Sequence, residues 1–142
     1  MKVTIASDHG GYVLKEHVKE NLTKKGIEVV DYGTDSLASC DYPDFGRPAA
    51  QAVADKEADF GILICTTGIG MSMVANKIHG VRAALCADTV SAMLTRQHND
   101  ANVLVMGAGI IGFNLADSIV DTFLSTPFSF EEKHARRVGK IE

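Results

Sequence analysis

The sequence predicts an α/β fold, a Rossmann-like three-layer αβα sandwich around a five-stranded parallel sheet. Three observations carry this. Apolar stretches of strand length alternate with helix-length segments five times along 142 residues. Those stretches are rich in Val and Ile and apolar through most of their length, as strands covered on both faces are. The composition, 46% hydrophobic and 23% charged with 13 glycines and 3 prolines, supplies one core and excludes a disordered, collagen-like or coiled-coil chain. At this length residues 1–142 form a single domain. There is no internal repeat, low-complexity tract or interdomain linker.

Residues 2–6 read as the first strand, closed by Ser7-Asp8-His9-Gly10-Gly11. Residues 12–25 read as a helix, because Leu14, Val18 and Leu22 recur every four residues and line one face. Gly26 follows as a C-cap glycine. Residues 27–30 form the second strand, and a polar, irregular stretch runs over 33–46. Pro48 then opens an alanine-rich helix to about Lys56. The apolar run 60–64 is the third strand and ends in Cys65-Thr66-Thr67-Gly68-Ile69-Gly70. Residues 71–77 read as helix, 81–86 as strand, and Asp88 or Thr89 caps a helix to about Gln97. Residues 101–106 are the fifth strand. A helix follows over 113–123, and a last one begins near Ser129, where Glu132 three residues on resembles a capping box.

Several function classes are set aside by composition. A net charge of −4 lacks the basic footprint of a duplex nucleic-acid binder. Lys133, His134, Arg136, Arg137 and Lys140 form one basic cluster near the end, read either as a solvated helix terminus or as an anion site. Cys40, Cys65 and Cys86 are odd in number and form no CxxC pair, against a disulfide scaffold or structural zinc. The first apolar run is too short for a signal peptide and is broken by Asp8 and His9, and no 18-residue apolar stretch exists. The expected location is the reducing cytoplasm, with no membrane partner.

In a parallel α/β sheet the ligand site lies outside the carboxyl ends of the strands. Asp8-His9 and Cys65-Thr66-Thr67 fall there. His98-Asn99-Asp100 falls in a helix-to-strand connection, at the opposite end, so a partner chain or an unusual loop must bring it to a shared site. Cys65 ends an apolar strand before a glycine turn into a helix, where amides favour a thiolate; it reads as a base or nucleophile, or else as an inert buried cysteine. Cys40 and Cys86 read as structural. Thr67-Gly68-Ile69-Gly70 reads as an oxyanion-binding turn or a plain strand-to-helix turn. Asp8 binds a hydroxyl, positions His9 or caps a turn. His17 reads as solvent-facing, and His79 and His134 carry no clear role. Gly107 to Gly112 matches GxGxxG after a strand. With 30 residues left and no following strand, it reads as close helix–sheet packing rather than a dinucleotide fingerprint.

The segments SDHGGYVLKE, DYGT, DYPDFG, GILICTTGIGMSMVANK, GVRAALC, RQHNDANVL and HARRV span nearly the whole chain. In them the sequence resembles the type B ribose-5-phosphate isomerases and their sugar-phosphate isomerase relatives, which include galactose-6-phosphate isomerase subunits. The resemblance implies an αβα homodimer, in some members a tetramer, with active sites between chains and neither metal nor organic cofactor. It implies that Cys65 moves a proton between C1 and C2, and that Thr67 and His98 help open the furanose ring. Asp8 and Tyr42 then border the sugar, Asn99 bonds the reacting oxygens, and the amides of Gly68, Ile69 and Gly70 stabilise the enediolate. His9 and Arg137 match phosphate-binding positions, and Lys133 stands at a common arginine position. The C-terminal helix, about 129–140, packs at the dimer interface.

Three positions depart from the family pattern: Thr66 for a glycine, Gly109 for an arginine, and Lys133 for an arginine, which keeps charge but loses the planar fork. Met71 stands where some relatives carry a basic carboxylate, and reads as part of a packed helix start. The implied function is exchange of ribose 5-phosphate and ribulose 5-phosphate. The alternatives are a six-carbon phosphate substrate, such as allose or galactose 6-phosphate, and a non-catalytic sugar-phosphate-binding subunit.

Overall fold

A computed structural model describes residues 1–142. Strands and helices alternate as β1 (Lys2–Ser7), a single 3-10 turn (His9–Gly11), α1 (Tyr12–Lys24), β2 (Glu28–Asp31), α2 (Tyr42–Ala54), β3 (Phe60–Cys65), α3 (Ile69–Ala75), β4 (Ala83–Leu85), α4 (Thr89–Asn99), β5 (Val103–Gly107), α5 (Phe113–Ser125) and α6 (Glu132–Val138). The five strands form one parallel sheet in the order β2-β1-β3-β5-β4. The α/β three-layer architecture follows from the two faces of this sheet. Val3, Ile5, Ile62, Ile64, Leu104 and Met106 pack under α1, α4 and α5. Ala6, Leu63, Cys65, Val103 and Val105 turn the other way, under α2 and α3. No helix is long and apolar enough to cross a membrane.

The chain leaves β1 toward β2 on one side, and β3 pairs with β1 on the other. The carboxyl ends of β1 and β3 therefore flank a topological switch point, where a crevice opens. Ser7 stands opposite Ile64 in this pair, so Asp8 and Cys65 emerge side by side.

Local expectations fail where distant contacts decide. The second helix starts at Tyr42, six residues before Pro48. Asp41 is its extended N-cap and Pro43 lies in its first turn, while Pro48 sits inside the helix. Gly46 lets this early part approach α3, since a Cβ there would collide with Met71 Sδ. Met71 is fully buried as a packed helix start. His17 does not face solvent alone. Its Nε2 lies 2.9 Å from Asp117 Oδ2 on α5 and its ring stacks on Phe113 at 4.3 Å. Ser129 does not form the capping box. The N-cap of α6 is Glu131. Ser129 Oγ instead accepts from the Glu131 amide at 3.2 Å and lies 2.6 Å from His134 Nδ1.

Candidate active site

The loop after β1 is held by its own carboxylate. Asp8 is buried, and its Oδ1 accepts from the Gly11 amide at 3.1 Å. The neighbouring His9 is half-buried, and its Nδ1 lies 3.2 Å from the Cys40 amide nitrogen, which donates to it. An accepting Nδ1 puts the neutral ring's proton on Nε2, which meets no group of the chain.

Cys65 is the last residue of β3 and only 5% exposed. Its Sγ accepts from the Gly68 amide at 3.2 Å. Gly68 caps α3 with φ of +80°, and a Cβ there would lie 3.0 Å from the Met106 carbonyl carbon. Only glycine suits both demands. Thr67 is exposed, and its Oγ1 accepts from the Ile69 amide at 3.2 Å. The Gly70 amide belongs to the first turn, where an α-helix offers no partner. Tyr42 reaches this turn from α2: a Cβ on Gly70 would stand 2.7 Å from the Tyr42 Cζ. Among the three cysteines, Cys65 alone receives an amide at its sulfur. Burial, and secondarily Asp88, push the Cys86 thiol up to about 11, so it stays neutral at physiological pH.

Gly107, which ends β5, and Gly109 serve this loop rather than a helix–sheet contact, while a Cβ on Gly112 would meet nothing. A Cβ on Gly107 would strike the Thr67 backbone. The Ala108 and Gly109 amides donate to the Cys65 and Thr66 carbonyls at 2.9 and 2.8 Å.

A second group forms elsewhere. The helix α4 runs back against the sheet, so its last turn lies beside the amino end of β5. His98 and Asn99 occupy that turn, not a loop, and Asp100 caps it in the left-handed conformation. The His98 ring meets the His134 ring at 4.4 Å. A cavity of about 350 Å3 is lined by His98, Asn99, His134, Arg137, Val138 and Ile141. Arg137 is exposed and pairs with no acidic group. Lys133 is engaged with Glu131 at 3.4 Å and does not line this cavity. Burial, then the neighbouring His98, hold the His134 pKa below its ordinary value. His134 is the site-lining residue that sequence reading left without a role. Its spacing from Arg137, one helical turn, was the available signal.

One chain thus gathers Asp8, His9, Tyr42, Cys65, Thr67, Gly68, Ile69 and Gly70 at one end of the sheet. It places His98, Asn99 and Arg137 at the other. No cluster of three or more His, Cys, Asp or Glu is arranged to hold a metal ion.

Fold and site together define an α/β protein with its candidate small-molecule site at the strand ends. The chain belongs to the ribose/galactose isomerase family, whose model matches residues 3–141. It is 44% identical over 140 residues to ribose-5-phosphate isomerase B of Escherichia coli, covering 99% of this chain and 93% of that one. It superposes with a TM-score of 0.97 on ribose-5-phosphate isomerase B of Clostridium thermocellum, at 51% identity over 99% of this chain and 95% of that one. The Mycoplasma genitalium ribose-5-phosphate isomerase B, described with bound ribulose 5-phosphate, matches with a TM-score of 0.94 at 43% identity, covering 99% and 93%.

Proposed function

We propose that this chain interconverts ribose 5-phosphate and ribulose 5-phosphate, with Cys65 as the base. The observation that carries the reading is the Cys65 sulfur, which receives the Gly68 amide at the switch point beside Asp8. That amide places an N–H donor where the sulfur would carry negative charge. The thiolate takes the C2 proton of the open aldehyde, the C–H electron pair becomes the C1=C2 bond, and the C1=O π pair moves onto O1, giving a cis-enediolate. The proton then returns to C1 as the C2 carbonyl forms, and the hydroxyl proton passes from O2 to O1. The Gly70 amide, and the Ile69 amide once Thr67 rotates away, bond the enediolate oxygens with the Gly68 turn. Thr67 and His98 open the furanose ring. Asp8 and Tyr42 border the sugar, and Asn99 holds its reacting oxygens. His9 Nε2, Arg137 and Lys133 take the phosphate, whose binding energy orients the sugar.

These residues fall into two groups at opposite ends of one subunit, so the pocket is completed by a second copy in a homodimer. The relatives named for ribose 5-phosphate, and the one described with ribulose 5-phosphate, support the five-carbon substrate. The family description also names galactose, which supports a six-carbon phosphate as the second reading. The test is kcat/KM of the purified chain for ribose 5-phosphate, allose 6-phosphate and galactose 6-phosphate. The highest value belongs to ribose 5-phosphate; a preference for a six-carbon sugar overturns that choice. Cys65→Ala abolishes solvent hydrogen exchange at C2 along with turnover, and exchange at the normal rate would assign the base elsewhere.

A further inference from the structure

The last turn of α4 is gripped by groups that lie outside the cavity it borders. Arg96 is buried at 7% exposure, with its guanidinium 4.9 Å from the Phe60 ring centre and 5.7 Å from that of Phe123. Its Nη1 donates to Asp100 Oδ1 at 2.8 Å and to the Ala101 carbonyl at 2.6 Å, and its Nε donates to the Thr126 carbonyl at 3.2 Å. Arg82 grips from the other side. Its Nε donates to the Asn99 and Asp100 carbonyls at 3.1 and 3.0 Å, and its Nη2 approaches Asp100 Oδ2 at 3.3 Å. Two guanidinium groups therefore share one carboxylate. Arg82 also binds the carbonyl that a helix end leaves without a partner.

Asp100 itself is the anomaly. It adopts φ of +46° and ψ of +44°, a conformation that glycine takes without strain. A residue needed only to end the helix has no use for a carboxylate there. Neither Asp100 nor the two arginines line the cavity of His98, Asn99, His134 and Arg137. We infer that Asp100, held between Arg82 and Arg96, is a positioning residue that sets where His98 and Asn99 point. This rests on the proposed roles of those two residues in the shared pocket. A rigid mount is what such a half-site needs, because it must meet the reacting sugar from across a subunit boundary, where small displacements are costly.

The test uses Asp100→Gly, which relieves the backbone while removing the carboxylate, and Asp100→Asn, which keeps the shape without the charge. Each is prepared as the full-length protein. Histidine-selective NMR of the free protein reads the His98 ring, and amide exchange reads residues 97–101. Both variants shift the His98 resonances and speed exchange in that turn, Asp100→Gly the more, while folding cooperatively. A His98 spectrum and exchange pattern like wild type in both variants overturns the inference. In turnover of ribose 5-phosphate, Asp100→Gly lowers kcat by about tenfold to a hundredfold with little change in KM. Combined with His98→Ala, it costs less than the product of the two single effects. Full multiplicative losses would show that Asp100 acts independently of His98 and also overturn the inference. The spectra decide the geometry whether or not a sugar phosphate is turned over, so failure of the isomerase reading is a separate result.

Discussion

Thr66 stands between two glycines and sets a steric limit on both. A Cβ on Gly10 would collide with its Oγ1, and a Cβ on Gly109 would lie 3.0 Å from its carbonyl oxygen and 3.1 Å from its Cγ2. The threonine at 66 and the glycine at 109 are therefore one steric unit. Gly109→Arg alone forces the 66 side chain aside and costs on the order of 1 kcal/mol of overpacking. Its expected result is a lower melting temperature and a several-fold loss of kcat/KM for ribose 5-phosphate. Thr66→Gly combined with Gly109→Arg removes the Cγ2 contact but keeps the carbonyl contact, and recovers both in part. Equal values for the single and double variants would show that the two positions do not interact.

Two elements are tied down by titratable groups, a histidine and a carboxylate, whose pKa values are both lowered, so that both contributions are lost on acidification. On α6, the buried His134 has a lowered pKa, and its ring faces Ser129, Glu131 and His98, with Lys133 and Arg137 nearby. The unfolded segment takes up a proton first, near the ordinary value of about 6.5. Docking of α6 is thus fully stable above that value and weakens as the pH falls below it. Amide protection in residues 132–138, with the base-catalysed intrinsic exchange rate at each pH divided out, is expected to fall between pH 7.5 and 5.5, and His134→Gln is expected to flatten that change. On α1, Lys15 is fully buried, and its Nζ donates to Asp31 Oδ2 at 2.6 Å and to Glu16 Oε1 at 2.8 Å. Burial alone would raise the Asp31 carboxyl, but hydrogen bonds from Lys15, Lys19 and the Gly33 amide outweigh it and hold the pKa below its ordinary value. Asp31 contributes stability above the unfolded carboxylate value of about 3.9, and that contribution is lost as the pH falls through its lower folded value. Lys15→Met removes one of the two lysines and costs about 2 kcal/mol, less than a fully buried pair because Asp31 is partly exposed and keeps Lys19. Denaturant melts at pH 7 and pH 3 read both effects, the wild-type advantage shrinking at the lower pH.

At the scale of the molecule, the decisive fact is that Cys65 and His98 lie at opposite ends of one sheet. Ile69, Met73, Leu85 and Val90 stay exposed along α3, β4 and the start of α4, at 48%, 63%, 42% and 59%. Leu85 belongs to β4, an edge strand of the sheet, and exposed apolar side chains of this kind are what a second copy would cover in the proposed dimer. Cys65→Ala and His98→Ala are each expected to be inactive. Mixed, unfolded and reassembled, they are expected to form hybrids with one intact pocket of two, giving about a quarter of wild-type activity from random pairing. Hybrids proven by mass that stay inactive would place both residues in one chain's pocket.

The periodic parts of the fold were readable because they are local. The Leu14, Val18, Leu22 stripe of α1, the Gly26 terminator and the apolar run of β3 follow from backbone geometry and side-chain period alone. The alternation of strand and helix further determined that Asp8 and Cys65 share the ligand-binding end and that His98 does not. Tertiary structure decided what depends on residues far apart in sequence. The close approach of early α2 to α3 came from Gly46 meeting Met71. The partner of His17 was Asp117, a hundred residues away. Tyr42 came to rest on Gly70, and Gly107 on Thr67. The Arg82–Asp100–Arg96 grip and the His134 cavity also formed only when separate helices and loops packed. Propensity and periodicity report each residue's own backbone and face, whereas a hydrogen bond between distant elements exists only once the sheet has fixed where those elements lie.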